Sequence, residues 1–168
     1  MFIDSHAHID GPEFDADRDE VIERARAAGV STILNVGTGD PHGGVFERAI
    51  ELGKKYESVF TAIGTHPHDA RLYDDKAEDK IKTLVQNEQV IAWGEIGLDF
   101  HYDNSPRDVQ VEIFKRQLRA ARDCDLPVII HTREAEAETI EIHWPSGVVQ
   151  ALHDVSGDQV LKVTEPER

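Results

Sequence analysis

The sequence predicts a parallel α/β fold. Three observations carry this reading. Short β-branched apolar runs alternate with longer stretches of helical periodicity along the 168 residues. The strand-like runs are nearly continuous in apolar character, as in sheets covered on both faces. Polar and histidine-rich clusters recur at the C-terminal ends of those runs. A (β/α)8 barrel builds its active site at such ends, and a doubly wound open sheet binds ligands there too. No low-complexity linker interrupts the chain, so residues 1–168 are expected to form one domain.

Each element has its own justification. Phe2-Ile3 opens the first strand. Asp15 to Ala28 reads as a helix with carboxylates in its first turn, a stripe of Val21, Ile22, Ala25 and Ala28, and Gly29 as its stop. "VSTILNVGTG" is a β-branched run ending in glycines, a second strand. "VFERAIELGKKY" is helical, and "SVFTAIGTHPHD" is a third strand stopped by Pro67. "DKAEDKIKTLVQN" is helical and "QVIAWGEIGLD" a fourth strand. Ser105-Pro106 then opens a long helix through Asp123, with serine expected at N-cap, proline at N1 and Asp108 at N3. "LPVIIHT" is a fifth strand, "EAEAETIEI" a helix and "SGVVQALHD" a sixth strand.

Composition narrows the function. Hydrophobic residues make up 39% and charged residues 30%, with no run of about 18 apolar residues that could span a membrane. No basic region followed by an apolar run opens the chain, and Cys124 is the lone cysteine. A cytoplasmic location without disulfides is therefore expected. The net charge of −15 argues against nucleic-acid binding through a broad basic surface. It leaves room for a polyanionic substrate held by divalent cations, which can reverse the field of a site.

The chemistry-bearing residues sit at the strand ends. His6 and His8 in "SHAHID" are two apart, so on a strand they face one side and can share a divalent ion. Asp4 and Asp10 stand ready to orient the two rings. His66 in "GTHPHD" precedes a proline and is expected to be extended, able to hydrogen-bond a substrate oxygen. His68 beside it reads as a solvated loop residue. Glu95 lies deep in an apolar run, where an unpaired carboxylate costs several kcal/mol, so it needs a metal or a partner. A carboxylate can also bridge two metals. Asp99 can support the site or cap a turn. His131 ends the fifth strand, and Arg133 beside it can grip a phosphate bidentately or pair with a nearby glutamate. His153 occupies the corresponding place on the sixth strand. His143 reads as structural, His42 as a loop residue, and His101 as a neighbour without a distinct role. Together these residues read as a two-metal hydrolytic centre.

The segments "FIDSHAHID", "IGTHPHD", "GEIGLDFHYDNSPRDVQ" and "PVIIHTRE" resemble the TatD-type metal-dependent deoxyribonucleases of the amidohydrolase-like TIM-barrel group. They occur in family order from residue 1 to about residue 142. The resemblance implies a (β/α)8 barrel and hydrolysis of DNA phosphodiester bonds by one or two divalent ions (Mg, Mn or Zn). It implies that His6 and His8 hold one metal, Glu95 bridges, and His131 helps hold the second, with His153 a further ligand. Arg133 and His66 would stabilise charge on the phosphoryl oxygens, with Asp99 beside them. It further implies exonucleolytic action on single-stranded DNA ends.

After residue 142 the pattern thins. "HDVSG" keeps His153, Ser156 and Gly157 of the family's sixth-strand motif but not its aromatic, and no Glu-Thr-Asp segment follows. A complete barrel takes about 250 residues, so this chain is expected to build about six strand–helix units, as a truncated or altered version of a longer enzyme. Open barrel edges would then favour self-association. Two rival functions go with the same residues: an amidohydrolase acting on a cyclic amide or lactone, and an inactive metal-binding remnant.

Overall fold

The computed structural model describes residues 1–135, 137–143 and 148–155, with the backbone alone for 137–143 and 152–155. Five strands form one sheet in the order β1 (Phe2–Ala7), β2 (Val30–Gly37), β3 (Val59–Ile63), β4 (Val90–Asp99), β5 (Val128–Arg133), and every pairing is parallel. Helices α1 (Arg18–Ala27), α2 (Val45–Lys55), α3 (Asp75–Leu84) and α4 (Arg107–Asp123) make the four crossovers. The sheet curls into a half-barrel.

Burial divides between the two faces. Val36, Ala62 and Ala92 are register partners across β2, β3 and β4 and form a small-residue layer on the concave side, joined by Ile129. The larger cluster packs strands on helices: Ile63, Trp93 and Ile96 meet Phe46, Ala49 and Ile50 of α2, Ala77 and Ile81 of α3, and Ile113, Ala120 and Ala121 of α4. Trp93 and Ile96 share that side despite their odd spacing, because the β4–β5 register shifts between them. Ile22 of α1 joins Ile9, Ile33, Leu52 and Val59 in a third cluster.

Two glutamines interrupt the apolar face of α4, and both hydrogen-bond the main chain through oxygen and nitrogen alike. Gln117 accepts from the Thr65 amide at 2.9 Å and from Trp93 Nε1 at 3.2 Å, and donates to the Thr65 carbonyl at 2.9 Å. Gln110 accepts from the Asp99 amide at 2.8 Å and donates to the carbonyls of Asp99 and Ser105. They satisfy main-chain groups that the sheet leaves open at the ends of β3 and β4.

Three expectations fail here. Residues 137–143 form a strand, β6, paired antiparallel with β7 (Val149–Val155), where "EAEAETIEI" is expected to be a helix. Alternation of Ala137, Thr139, Glu141 with Ile140 and Ile142 fits a two-residue period, and β-branched residues favour it. The expected sixth parallel strand is accordingly half of a separate two-stranded hairpin. The parallel sheet thus has five strands, not six, and its edges are β1 and β5. Ile130, register partner of the helix-packed Ile96, is 48% exposed, since a hairpin follows β5 where a helix would cover it. Finally, Pro106 and not Ser105 is the N-cap of α4, with ψ 140° and its carbonyl accepting from Gln110. Ser105 turns its hydroxyl to the carbonyl of His68 instead, at 2.8 Å. Among the described residues no helix is long and apolar enough to cross a membrane.

Candidate metal centre

The parallel strands deliver their polar residues to one end of the half-barrel. His6 is on β1 and His8 one residue past it. His66 and His68 follow β3, Glu95 and Asp99 belong to β4, and His131 and Arg133 to β5.

On the β1 side, His6 Nε2 lies 3.2 Å from His8 Nε2 and 3.5 Å from Glu95 Oε2. His8 Nδ1 sits 2.7 Å from the Val36 carbonyl, which can only accept. Nδ1 therefore carries a proton, which leaves Nε2 as the nitrogen that can offer a lone pair toward His6. A β2 carbonyl orients this ring; Asp4 and Asp10 do not. Asp4 accepts from the His6 amide at 3.1 Å, and the buried Asp10, its carboxyl pushed up by burial, sits in the loop anchored by Asn35.

On the β4–β5 side, Glu95 is buried, 9% exposed, and its Oε1 meets His131 Nδ1 at 2.9 Å. Gly97 pairs with His131 in the ladder, and Glu95, two residues before Gly97, projects to the same face. Burial raises the Glu95 carboxyl, but His131, His6 and His66 outweigh it and hold the group below its ordinary value. Burial lowers the His131 ring, but Glu95 and Asp99 outweigh it and raise it. His131 Nε2 lies 3.2 Å from Asp99 Oδ2, which His68 Nε2 also reaches at 2.8 Å. Asp99 is fully buried, yet the Tyr102 amide, His68 and His131 draw its carboxyl down to about 2.

His66 stands between these groups, its ring 4.4 Å from that of His131. Burial first, then the neighbouring His131, lowers it to about 4, so it is neutral near pH 7. Its Nδ1 accepts from the His68 amide at 3.2 Å, which puts the ring proton on Nε2. Arg133 lies over the ring of Tyr102 at 5.2 Å, and no ion pair with a glutamate is found for it among the described residues.

Two groups of donor atoms lie close enough to hold a cation: His6, His8 and Glu95, and His66, Glu95 and His131, all within 4.8 Å of one another in each group. His6, His8, Glu95 and His131 fit divalent metals, whereas both nitrogens of His66 are already engaged by the His68 amide and a proton. Imidazole nitrogens and a carboxylate suit zinc and related ions, and two rings whose Nε2 atoms face each other at 3.2 Å gain from a shared cation.

His68 is the residue that sequence reading missed. It is expected to be solvated, but it is half-buried and paired with Asp99. The signal that could have found it is the spacing His66–Pro67–His68, which folds the second ring back toward the site in a 3-10 turn (Pro67–Leu72). His42 lies in the loop between β2 and α2, as expected, with its ring on the Leu72 carbonyl at 3.0 Å, and the His101 ring meets Glu134 at 2.6 Å. His153 lies on β7 opposite Thr139, in the hairpin and not at a parallel strand end; its side chain falls outside the described residues.

Comparison with known proteins shows the family and the fold. The family model described as TatD related DNase matches residues 3–161, past the point where the sequence motifs thin out. The chain is 42% identical over 142 residues to the uncharacterized metal-dependent hydrolase YabD of Bacillus subtilis, covering 84% of this chain and 54% of that protein. It is 40% identical over 138 residues to the 3'-5' ssDNA/RNA exonuclease TatD of Cronobacter sakazakii, covering 82% and 51%. The crystal structure of YJJV, a TatD homolog from Escherichia coli, superposes with a TM-score of 0.71 at 33% identity, covering 79% of this chain and 51% of that one. The chain spans about half the length of these relatives. A half-barrel of parallel strands with paired histidines, a buried glutamate and a further histidine at one end thus has its place: the chain belongs to the TatD-related DNase family.

Proposed function

We propose that this chain is a metal-dependent hydrolase of phosphodiester bonds, acting on single-stranded DNA ends. One observation carries the reading most. The two oxygens of Glu95 reach different histidines, Oε2 toward His6 and Oε1 toward His131, as a carboxylate shared by two cations would. His6, His8 and Glu95 would hold one divalent ion, Mg, Mn or Zn, and Glu95 with His131 the other. Such ions supply Lewis-acid polarisation of a phosphoryl oxygen and activation of water at neutral pH.

The chain's own residues do the rest. Neutral His66 presents an Nε2–H donor, which suits a phosphoryl oxygen better than a metal. Arg133 holds a forked cation at the rim, able to grip a phosphate bidentately. Val36 holds His8 with its lone pair toward the site. The name of the Cronobacter relative, a 3'-5' ssDNA/RNA exonuclease, supports exonucleolytic action. A net charge of −15 makes cations in the pocket the means of attracting a polyanion.

The test is release of nucleotides from an end-labelled single-stranded oligonucleotide with Mg²⁺, Mn²⁺ or Zn²⁺. Wild type should cleave, chelator should stop it, and Glu95→Gln should reduce the rate about 100-fold or more. Cleavage insensitive to chelator, or none with any ion, overturns the reading.

A cytoplasmic location goes with the lone Cys124. Self-association through β1 and β5 goes with the exposed Phe2, Ile3 and Ile130 at those edges. Sedimentation velocity should show a concentration-dependent boundary; a monomer at all concentrations would refute it.

A further inference from the structure

Asp99 is a fully buried carboxylate with nothing left to offer. Its Oδ1 accepts from the amides of His101 at 3.1 Å and Tyr102 at 3.0 Å. Its Oδ2 is shared by the rings of His68 at 2.8 Å and His131 at 3.2 Å. A carboxylate has about four lone-pair directions, and all four are engaged. Asp99 therefore holds its neighbours in place and does not itself meet substrate.

His68 is the outermost member of this set and is fixed on three sides. Its carbonyl accepts from Ser105 Oγ, its amide donates to His66 Nδ1, and its ring lies across that of Tyr102 at 5.6 Å. The consequence runs inward. His131 has two ring nitrogens, one against Asp99 and the other against Glu95. Whichever nitrogen donates to Asp99 cannot also ligate a metal. A carboxylate behind a ligating imidazole fixes both its tautomer and its orientation.

We propose that His68 is a positioning residue of the metal centre: through Asp99 it fixes the His131 ring with Nε2–H outward and Nδ1 toward Glu95. The same residue sets His66 through its main-chain amide, so one short turn after β3 governs both rings. This inference rests on the metal-dependent reading of the site.

The experiment compares wild type with His68→Phe and His68→Gln. Phenylalanine removes the donor to Asp99, whereas the glutamine amide can replace it. In the zinc-loaded chain, long-range ¹H–¹⁵N spectra should show His131 coordinated through Nδ1 and protonated at Nε2. Zinc titration against a chelating dye should show affinity at the weaker site falling about tenfold in His68→Phe, with His68→Gln within about threefold of wild type. Coordination of His131 through Nε2 in wild type overturns the proposal whatever the variants do. So does unchanged affinity in His68→Phe, or equal loss in both variants alongside a lower Tm, which marks a merely structural role. Zinc binding with the expected nitrogen pattern but no oligonucleotide cleavage would overturn the hydrolase reading and leave the positioning intact. A wild type that binds no zinc overturns the positioning proposal, and the hydrolase reading falls with it only if no cation supports cleavage.

Discussion

Gly97 shows how narrowly single residues set this centre. It has φ 147°, and a Cβ built on it would lie 2.0 Å from the His131 carbonyl oxygen. Any side chain would push β5 away from β4 and carry the His131 ring off Glu95. Gly97→Ala is expected to lower unfolding free energy by about 2–4 kcal/mol in urea titration. It should also weaken zinc binding in the folded fraction; an unchanged midpoint would show that β5 shifts freely. Sequence reading singled out His6 and His8 by their two-residue spacing, and Glu95 and His131 because each stands against an apolar background that makes a polar residue costly. It passed over His68, since a histidine in a polar turn looks the same whether its ring meets water or Asp99.

At the scale of elements, the joint between α3 and α4 carries a charge clamp. Arg116 of α4 meets Asp75 at 2.5 Å and Glu78 at 2.5 Å, both on α3, and lies over the ring of Tyr73. Burial raises the Glu78 carboxyl, but Lys82 and Arg116 outweigh it and hold it below its ordinary value of 4.5. A depressed carboxyl stabilises the fold above that ordinary value, and the contribution disappears as pH falls through the lower folded-state value. Thermal unfolding followed from pH 7 to pH 3 should therefore show wild type losing stability below about pH 4.5, and Glu78→Gln losing less. Identical slopes would mean that Glu78 is not part of the acid response. The helices themselves were legible from apolar periodicity. The Ser105 cap was not, because its hydroxyl has a better use on the His68 carbonyl than on its own helix.

For the whole molecule, the centre joins what the sheet leaves apart. β1 and β5 are the two edges of an open sheet, yet His6 of β1 lies 3.5 Å from Glu95, which meets His131 of β5. A cation held among them ties one edge to the other across the half-barrel. At free zinc about 100 times its Kd, unfolding should cost about 2.7 kcal/mol more, a rise in Tm of about 5–10 °C that chelator reverses. Calorimetry with and without the ion reads this directly; an unmoved Tm would place binding on the unfolded chain as well.

Sequence alone determined the parallel α/β class, the order of the first five strands and four helices, and which strand ends hold the candidate metal ligands. Those features come from local periodicity and from the cost of burying polar groups, and both are written residue by residue. Tertiary structure decided what depends on distance. It set the two faces of Glu95, the Val36 carbonyl behind His8, the sharing of Asp99 by two rings, and the antiparallel pairing of β6 with β7. Each arises where residues far apart in the chain meet and compete for the same hydrogen-bonding atoms, and no spacing along the sequence records who wins.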